Sequence, residues 1–329
     1  MLKGIYGVLI AMLVILTAMF VSLFINPGHP MEQQTAIQNP RYHLQLLVKN
    51  KEESFWISFR EGAKAAEEEY GVYIEFVPVE QINPVNLRET VEMGVNQGVD
   101  GIALQAADSE QTQQIIDQAK KQGVQIITYE NSNYIVSDIP MVGTNNYSLG
   151  NYAGDMAVDA SKGVADVAVI INGAGNEGDK TLKNLIIEGI NNAFDNYGQI
   201  RISDIYTINT DMFEAEKVAS EILNKEDIPD LIICMDEKCT PGIAQILVDN
   251  NMVGDIKLVG YGITAQTLNY IEHGVIYGTV CPDAYEIGYD TVKALVQMLN
   301  GEQVSEIIST SLYTIDIGNV NEFKDNAAQ

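Results

Sequence analysis

The segment GVDGIALQAADSEQTQQIIDQAKKQGVQIITYEN, residues 98–131, decides the fold class of this chain. It contains two short apolar stretches, GIALQ (101–105) and VQIITY (124–129), on either side of a helix-length stretch from Ser109 to Gln122. Two strands separated by a helix of this length predict a parallel β-α-β unit with a right-handed crossover.

The same alternation of strand and helix runs through most of the chain. Further strands are predicted at 42–48, 72–79, 166–171, 231–235 and 257–261, and each is followed by a stretch with helical periodicity. Two such series in tandem predict an α/β protein made of two doubly wound parallel-sheet lobes.

The N-terminal segment predicts a membrane anchor. Residues 5–25 contain neither a charge nor a proline, and a helix of that length spans the roughly 30 Å hydrocarbon core of a bilayer. Lys3 precedes this segment, and no Lys or Arg lies between it and Pro40. The charge bias therefore predicts a cytoplasmic N-terminus and an exported globular part. A cleaved signal peptide is the alternative, but the long apolar stretch and the lack of an A-x-A-like site favour a retained single-pass anchor.

The charge balance excludes two classes of ligand. The chain has a net charge of −26, and Lys3 is the only charged side chain in residues 1–25, so the exported part carries −27. Nucleic acids and anionic lipid headgroups would be repelled by such a surface. The cysteines Cys234, Cys239 and Cys281 are too few for a disulfide scaffold, and we interpret them as small buried side chains. A thiol cluster that binds metal or senses redox is the alternative.

No catalytic constellation is apparent in the sequence, and neither a cofactor nor a metal is predicted. His29, His43 and His273 are too scattered for metal-ligand spacing, and no G-x-S-x-G nucleophile elbow occurs. Residues 173–178, GAGNEG, match G-x-G-x-x-G after a strand. Glu177 would face the phosphates, however, so we interpret this segment as a structural glycine-rich loop.

Four segments carry a resemblance to a known family. They are KNKEESFWISFREGAKAAEEEYGV (49–72), residues 98–131, MDEKCTPGIAQIL (235–247) and residues 257–295. In this order they resemble periplasmic sugar-binding proteins of the ribose/galactose type, which have the type I periplasmic binding protein fold. The resemblance covers Tyr42 to about Ile317. It implies three hinge crossovers between the lobes, near Gly143–Asn146, near Cys281–Ala284 and near Thr310–Leu312.

The resemblance and the composition together predict the domain organisation. The expected parts are a transmembrane signal anchor (1–25), an extracellular stalk (26–40), an N-terminal lobe (41–145 plus 283–310), a C-terminal lobe (146–282 plus 311–323) and a tail (324–329).

Site residues follow from the resemblance position by position. Phe55 and Trp56 match aromatic residues that stack on a sugar ring, and Gln105 matches an Asn that binds a hydroxyl group. Glu130 and Asn131 match an Asp-Arg pair that grips adjacent hydroxyl groups. A cleft-lining ring at Trp56 is the interpretation we favour over a core aromatic residue.

The remaining site positions depart from the family pattern. They are Glu53 and Met235, which each replace an Asn, Asn184, which replaces an Arg, Gly262, which replaces an Asp, and Pro282, which replaces a Gln. The loss of arginine and aspartate groups counts against ribose itself and against phosphorylated sugars. Glu53, Glu130, Asp236 and Glu237 predict an acidic cleft, which suits a neutral polyol or a cation better than an anion.

The sequence therefore predicts an extracytoplasmic, membrane-anchored receptor for a small carbohydrate-like ligand, most simply a sugar or polyol. Its expected partner is the permease of an ABC importer or a membrane sensor histidine kinase. Two alternatives remain open: an interaction module that has lost ligand binding, and an exported α/β enzyme.

Overall fold

The computed structural model describes residues 40–49, 54–79, 84–106, 110–130, 136, 138–173, 177–208 and 212–327. The predicted anchor and all of the predicted stalk except Pro40 lie outside these residues. Among the described helices, none is long and apolar enough to cross a membrane.

The strands and helices alternate along the described chain. The strands are β1 (His43–Val48), β2 (Tyr73–Pro78), β3 (Gly101–Leu104), β4 (Gln125–Tyr129), β5 (Met141–Gly143), β6 (Val164–Asn172), β7 (Gln199–Ile208), β8 (Leu231–Met235), β9 (Lys257–Tyr261), β10 (Gly278–Pro282), β11 (Ile307–Ser309) and β12 (Leu312–Asp316). The helices are α1 (Ser54–Tyr70), α2 (Pro84–Gln97), α3 (Glu110–Lys121), α4 (Asn146–Ser161), α5 (Glu177–Phe194), α6 (Met212–Leu223), α7 (Cys239–Asp249), α8 (Ala265–Glu272), α9 (Ala284–Leu299) and α10 (Val320–Ala327).

The strands form two sheets with the same strand order. The first sheet has the order β11-β5-β4-β3-β1-β2, and its neighbouring strands are parallel. The second has the order β12-β10-β9-β8-β6-β7, in which only the edge strand β12 runs antiparallel to its neighbour. The first strand of each sheet lies between the second and the third, which creates the topological switch point of a doubly wound fold. The prediction of two doubly wound lobes is confirmed.

Each sheet is covered by helices on both faces because its central strands are apolar on both sides. In β6, Val167 and Val169 pack towards α4 and α5, whereas Ala168 and Ile170 pack towards α6, α7 and α8. This alternation follows from the two-residue period of a strand, and each buried Val, Leu or Ile side chain contributes roughly 1.5–3 kcal/mol. The first sheet is sandwiched in the same way, by α1 and α9 on one face and by α2 and α3 on the other.

The described chain passes between the sheets at three places. It leaves β5 for α4, returns from β10 to α9, and crosses again between β11 and β12. These are the segments at which the crossovers were predicted. Hydrogen bonds tie them together: the Thr310 N–H donates to the Gly143 carbonyl (3.1 Å), and the Asp283 N–H donates to the Ser311 carbonyl (3.0 Å).

Several elements differ from the sequence-based expectations. Strands β5 and β11 were not predicted as strands. Strand β7, at the edge of the second sheet, was not predicted, although the alternation of polar and apolar residues in QIRISDIYTI is the two-residue period of a half-buried strand. Strand β12 occupies the opposite edge and was anticipated only as part of a crossover. Residues 324–327 were expected to belong to a tail but lie in α10, where Lys324 forms an ion pair with Glu272 of α8.

Candidate functional site

A cavity of about 160 Å³ lies where the two lobes meet their crossovers. Its described lining comes from α1 and α9 on one side, and from the second lobe and the β10–α9 crossover on the other. The lining residues are Phe55, Ser58, Ala284 and Tyr285 from the first lobe, Glu237, Tyr261, Gly262, Ile263, Tyr313 and Phe323 from the second, and Cys281, Pro282 and Asp283 from the crossover. Because both lobes supply walls, a relative rotation of the lobes would open or close this cavity.

The second-lobe wall is formed by the carboxyl ends of neighbouring parallel strands. Glu237 follows β8, Tyr261 is the last residue of β9, and Pro282 is the last residue of β10. In open doubly wound sheets, ligands bind outside this edge. The cavity therefore occupies the position at which the fold ordinarily holds a ligand.

The carboxylate of Glu237 lies close to where the resemblance expects the carboxylate of an aspartate at position 262. Gly262 has a φ of +91°, and a Cβ atom added to it would lie 2.4 Å from the Cγ of Glu237. The Oε1 of Glu237 accepts the Ile263 N–H over 3.3 Å. The aspartate that the resemblance expects at position 262 is therefore absent, but the side chain of Glu237 fills its space.

Glu130 lies beside the first crossover. Its Oε1 accepts hydrogen bonds from the backbone N–H (2.6 Å) and the hydroxyl (2.8 Å) of Thr144. The Nε2 of Gln105 donates to the Glu130 carbonyl over 3.1 Å, so these two predicted site residues are in contact. Burial raises the pKa of Glu130 above its usual range. The described contacts make Glu130 a hinge residue, and its contact with a ligand stays a prediction.

The aromatic pair after β1 is divided between the cavity and the core. Phe55 is half-buried and lines the cavity. Trp56 is only 3% exposed, and its ring packs against Phe59 and Tyr129 with centroids 5.7 and 6.3 Å away. In this structure Trp56 is thus a core residue of the first lobe, not the cleft-lining ring that we expected. The buried spacing Trp56, Phe59, Ala63 is that of one helix face, and this signal was present in the sequence.

The side chains of Asp236 and Met235 are buried and make their contacts within the second lobe. The Oδ1 of Asp236 accepts the N–H groups of Lys238 (3.0 Å) and Cys239 (2.9 Å) at the start of α7. Only 6% of Asp236 and 7% of Met235 is exposed, and Met235 packs in the core towards α4 and α5. Neither lines the described cavity, so their predicted ligand contacts have no support in this structure.

The other predicted positions fall into two groups. Asn184 is exposed on α5 and does not line the cavity. Glu53, Asn131 and the central part of the glycine-rich loop, 174–176, lie outside the described residues. The structure thus brings Phe55, Gly262 and Pro282 together at one cavity.

Asp283 and the tyrosine rings near it were not among the predicted ligand-binding residues. Asp283 caps α9 by accepting the Glu286 N–H over 3.0 Å, and its Oδ2 accepts the hydroxyl of Tyr313 over 2.6 Å. The D-x-x-E spacing of Asp283 and Glu286 is a helix-start signal that could have located this position. The contact with Tyr313 had no sequence signal, because it depends on the antiparallel pairing of β12 with β10.

The three cysteines are free and buried. Burial, together with the neighbouring Glu237 and Asp283 carboxylates, raises the pKa of Cys281 to about 12. Burial likewise raises the pKa of Cys234 to about 12. These thiols are protonated at neutral pH and are poor nucleophiles. Within the described part of the chain, no group of three or more His, Cys, Asp and Glu side chains is arranged to hold a metal ion.

Sequence comparison agrees with this architecture. The profile of the periplasmic binding protein domain matches residues 44–303, which is most of the chain. The chain belongs to this family. Periplasmic binding proteins bind solutes and do not transform them. At the level of the family, this agrees with the prediction of a binding protein without enzymatic activity.

The relative and the solved structures to which the chain is similar are distant in sequence. The chain is 22% identical to the D-allose-binding periplasmic protein of Escherichia coli (strain K12) over 262 residues, covering 76% of this chain and 82% of that protein. It superposes on the glucose-galactose binding protein GanP of Geobacillus stearothermophilus with a TM-score of 0.73 and 24% identity, covering 86% and 99% of the two chains. The XylFII–LytSN complex contains a similar chain, with a TM-score of 0.68, 22% identity, and coverage of 85% and 99%. At these identities the structural likeness shows the fold.

Proposed function

We propose that the protein is an extracytoplasmic receptor that traps a small carbohydrate-like ligand between its two lobes. The observation that carries this proposal is the cavity at the carboxyl ends of β8, β9 and β10, which α1 and α9 of the other lobe complete. At about 160 Å³ it is smaller than the roughly 300–1,000 Å³ pockets of drug-sized ligands and suits a single sugar ring.

Hinge closure is the mechanism that this arrangement supports. The crossovers are short, and the bonds Thr310 to Gly143 and Asp283 to Ser311 hold them side by side. A small change of backbone angles in such segments moves one lobe against the other as a rigid body. A ligand that contacts both walls binds the closed form more tightly and therefore shifts the population towards it.

The chemistry of the lining supports a sugar or polyol. Phe55 offers an aromatic face to a sugar ring, and Glu237 and Asp283 offer carboxylate oxygens to hydroxyl groups. The named relatives bind D-allose and glucose-galactose, which supports a monosaccharide. Phosphorylated sugars are disfavoured, because the described lining contains no Lys or Arg.

We further propose that residues 5–25 anchor the receptor in the membrane with the lobes outside the cell. The partner would be an ABC importer permease or a membrane sensor kinase. A retained single-span anchor favours the sensor, because it differs from the lipid-modified or soluble forms that are common among receptors that feed an importer. The solved XylFII–LytSN complex, in which a protein of this fold binds a second protein, supports a protein partner.

Ligand titration of the full-length protein in detergent tests the receptor proposal. Neutral pentoses and hexoses are added one at a time, and heat release and melting temperature are recorded. We expect saturable one-to-one binding of at least one sugar and a decrease in the radius of gyration by X-ray scattering. If no sugar changes either signal, the binding-degenerate module becomes the better description.

A deletion strain separates the two partner proposals. Loss of uptake of the bound sugar indicates an importer. Preserved uptake with loss of sugar-dependent transcription indicates a sensor kinase.

A further inference from the structure

The C-terminal helix α10 forms one side of the cavity. Phe323 is the residue of α10 that lines it, and its ring packs edge-on against the ring of Tyr313, with centroids 5.5 Å apart. Val320, one turn earlier on the same face of the helix, is fully buried in the second-lobe core. Asn321 and Glu322 are exposed. Helix α10 therefore lies between the cavity and solvent, with Phe323 on its inner face.

Helix α10 is attached to the second lobe at two places. Before its first turn, the side-chain amide of Asn319 accepts the Asp316 N–H and donates to the Thr314 carbonyl, each over 2.9 Å. In its second turn, Lys324 forms an ion pair with Glu272 of α8. The lining ring lies between these attachments in the sequence, so it is presented to the cavity by a helix that is fixed on the lobe.

The same helix reaches the first lobe. It contacts α1, and Phe55 of α1 lines the cavity as Phe323 does. Tyr313, which packs on Phe323, donates its hydroxyl to Asp283 at the start of α9. Two rings of the second lobe thus meet elements of the first lobe at one side of the cavity. Under the proposed hinge closure, this side is complete only when the lobes are closed.

We propose that Phe323 is a specificity-determining residue, whose ring blocks this side of the cavity and restricts the site to a single sugar ring. This inference rests on the proposed sugar-receptor function and identifies a residue that sets the size of its ligand. A second sugar unit that points towards α10 would overlap the ring of Phe323. Displacing the ring requires breaking the attachments of α10, so the larger ligand is rejected by steric overlap.

Calorimetry with the full-length protein tests the inference. Each neutral pentose or hexose that binds is compared with disaccharides in which a glucose unit is attached to its C1 or C4 oxygen; for D-glucose these are trehalose, maltose and cellobiose. We expect the wild type to bind the disaccharides at least about hundredfold more weakly than the monosaccharide. Phe323→Ala should reduce this ratio at least about tenfold for one linkage, while the monosaccharide affinity falls by less than about tenfold.

The outcomes separate this inference from the receptor proposal. If the wild type binds a disaccharide as tightly as its monosaccharide, or if the ratio is unchanged in Phe323→Ala, the inference is overturned while the receptor proposal stands. If no monosaccharide binds the wild type, the receptor proposal fails and the inference fails with it.

Two further variants assign the effect to the ring. Asn321→Ala is the matched control, because Asn321 lies on the same helix but is exposed and does not line the cavity. It should leave both affinities unchanged, and an equal change of the ratio in Asn321→Ala and Phe323→Ala would overturn the inference. Phe323→Leu keeps an apolar side chain against the core and should change the ratio in the same direction by a smaller factor. Because both affinities are measured on one variant, their ratio does not depend on the fraction of folded protein.

Discussion

The side chain of Glu237 fills the space beside Gly262, where an added Cβ atom would lie 2.4 Å from the Glu237 Cγ. The two residues lie at the ends of the neighbouring strands β8 and β9. A carboxylate therefore stands on the cavity wall although position 262 itself has no side chain. The contact also makes position 262 unusually sensitive to substitution.

Gly262→Ala is expected to destabilise the protein more than Gly254→Ala. Both glycines have a φ of +91°, but a Cβ atom at Gly254 meets nothing within 4 Å. The control should lose about 1–2 kcal/mol from backbone strain alone. Gly262→Ala should lose more because Glu237 has to move. Chemical denaturation of both variants measures the difference.

A double-mutant cycle isolates this contact. Combining Gly262→Ala with Glu237→Ala should recover the additional loss and give a coupling of about 0.5–3 kcal/mol. Additive effects of the two substitutions would show that Glu237 does not occupy the space beside Gly262.

Trp56→Ala is expected to lower the free energy of unfolding by roughly 3–5 kcal/mol, because the indole is 3% exposed and packs on Phe59 and Tyr129. Phe55→Ala should cost less stability and should weaken ligand binding, because Phe55 lines the cavity. Denaturation and calorimetry of the two variants provide the comparison. Normal stability of Trp56→Ala together with lost binding would return Trp56 to the ligand site.

Tyr313→Phe is expected to destabilise the protein by about 0.5–1.5 kcal/mol through loss of the bond to Asp283. That bond raises the pKa of Tyr313 from 10.0 to about 12, since ionising the hydroxyl removes its donor. The stabilisation is therefore present below pH 10 and lost as the pH rises through about 12. Tyr197→Phe is the control, because Tyr197 is similarly exposed, at 44% against 41%. Phenolate absorbance during a pH titration should lose a step near pH 12 only in Tyr313→Phe.

Glu130→Gln is expected to raise the melting temperature at neutral pH. Burial raises the pKa of Glu130 above 4.5, so the contribution of this group to stability is full below that pH and is lost as the pH rises through the raised pKa. Glutamine keeps an oxygen acceptor for Thr144 and removes the buried charge. The difference in melting temperature between Glu130→Gln and the wild type should therefore vanish at acidic pH.

For comparison, Glu272→Gln is expected to change the melting temperature at neutral pH in the opposite direction. Its hydrogen bond and ion pair with Lys324 lower the pKa of Glu272 below 4.5. The stabilisation it provides is present above pH 4.5 and is lost as the pH falls through the lowered pKa. This variant should melt at a lower temperature than wild type at neutral pH. If both Glu130→Gln and Glu272→Gln lowered the melting temperature at neutral pH, the assignment of a desolvated carboxylate at Glu130 would be contradicted.

Much of the site could be located from the sequence, but the role of each residue could not. Strand ends could be identified from apolar stretches, and parallel strands bring their carboxyl ends to one edge. The positions Phe55, Gly262 and Pro282 came from the family resemblance. All three line the described cavity, and their contact with a ligand stays a prediction. Trp56 was misjudged because its position beside Phe55 was given more weight than its helical spacing to Phe59 and Ala63.

The amino-acid sequence by itself determined the doubly wound fold of each lobe. Strand and helix periodicities are local, and stretches such as Val167 to Ile171 are apolar on both faces, so they fold only inside a covered parallel sheet. The tertiary structure alone decided which side chains meet at the cavity. Glu237 contacts Gly262, and Tyr313 contacts Asp283, through strand pairings between residues 25 and 30 positions apart. Such contacts depend on strand order and register, and neither leaves a periodic signal in the chain.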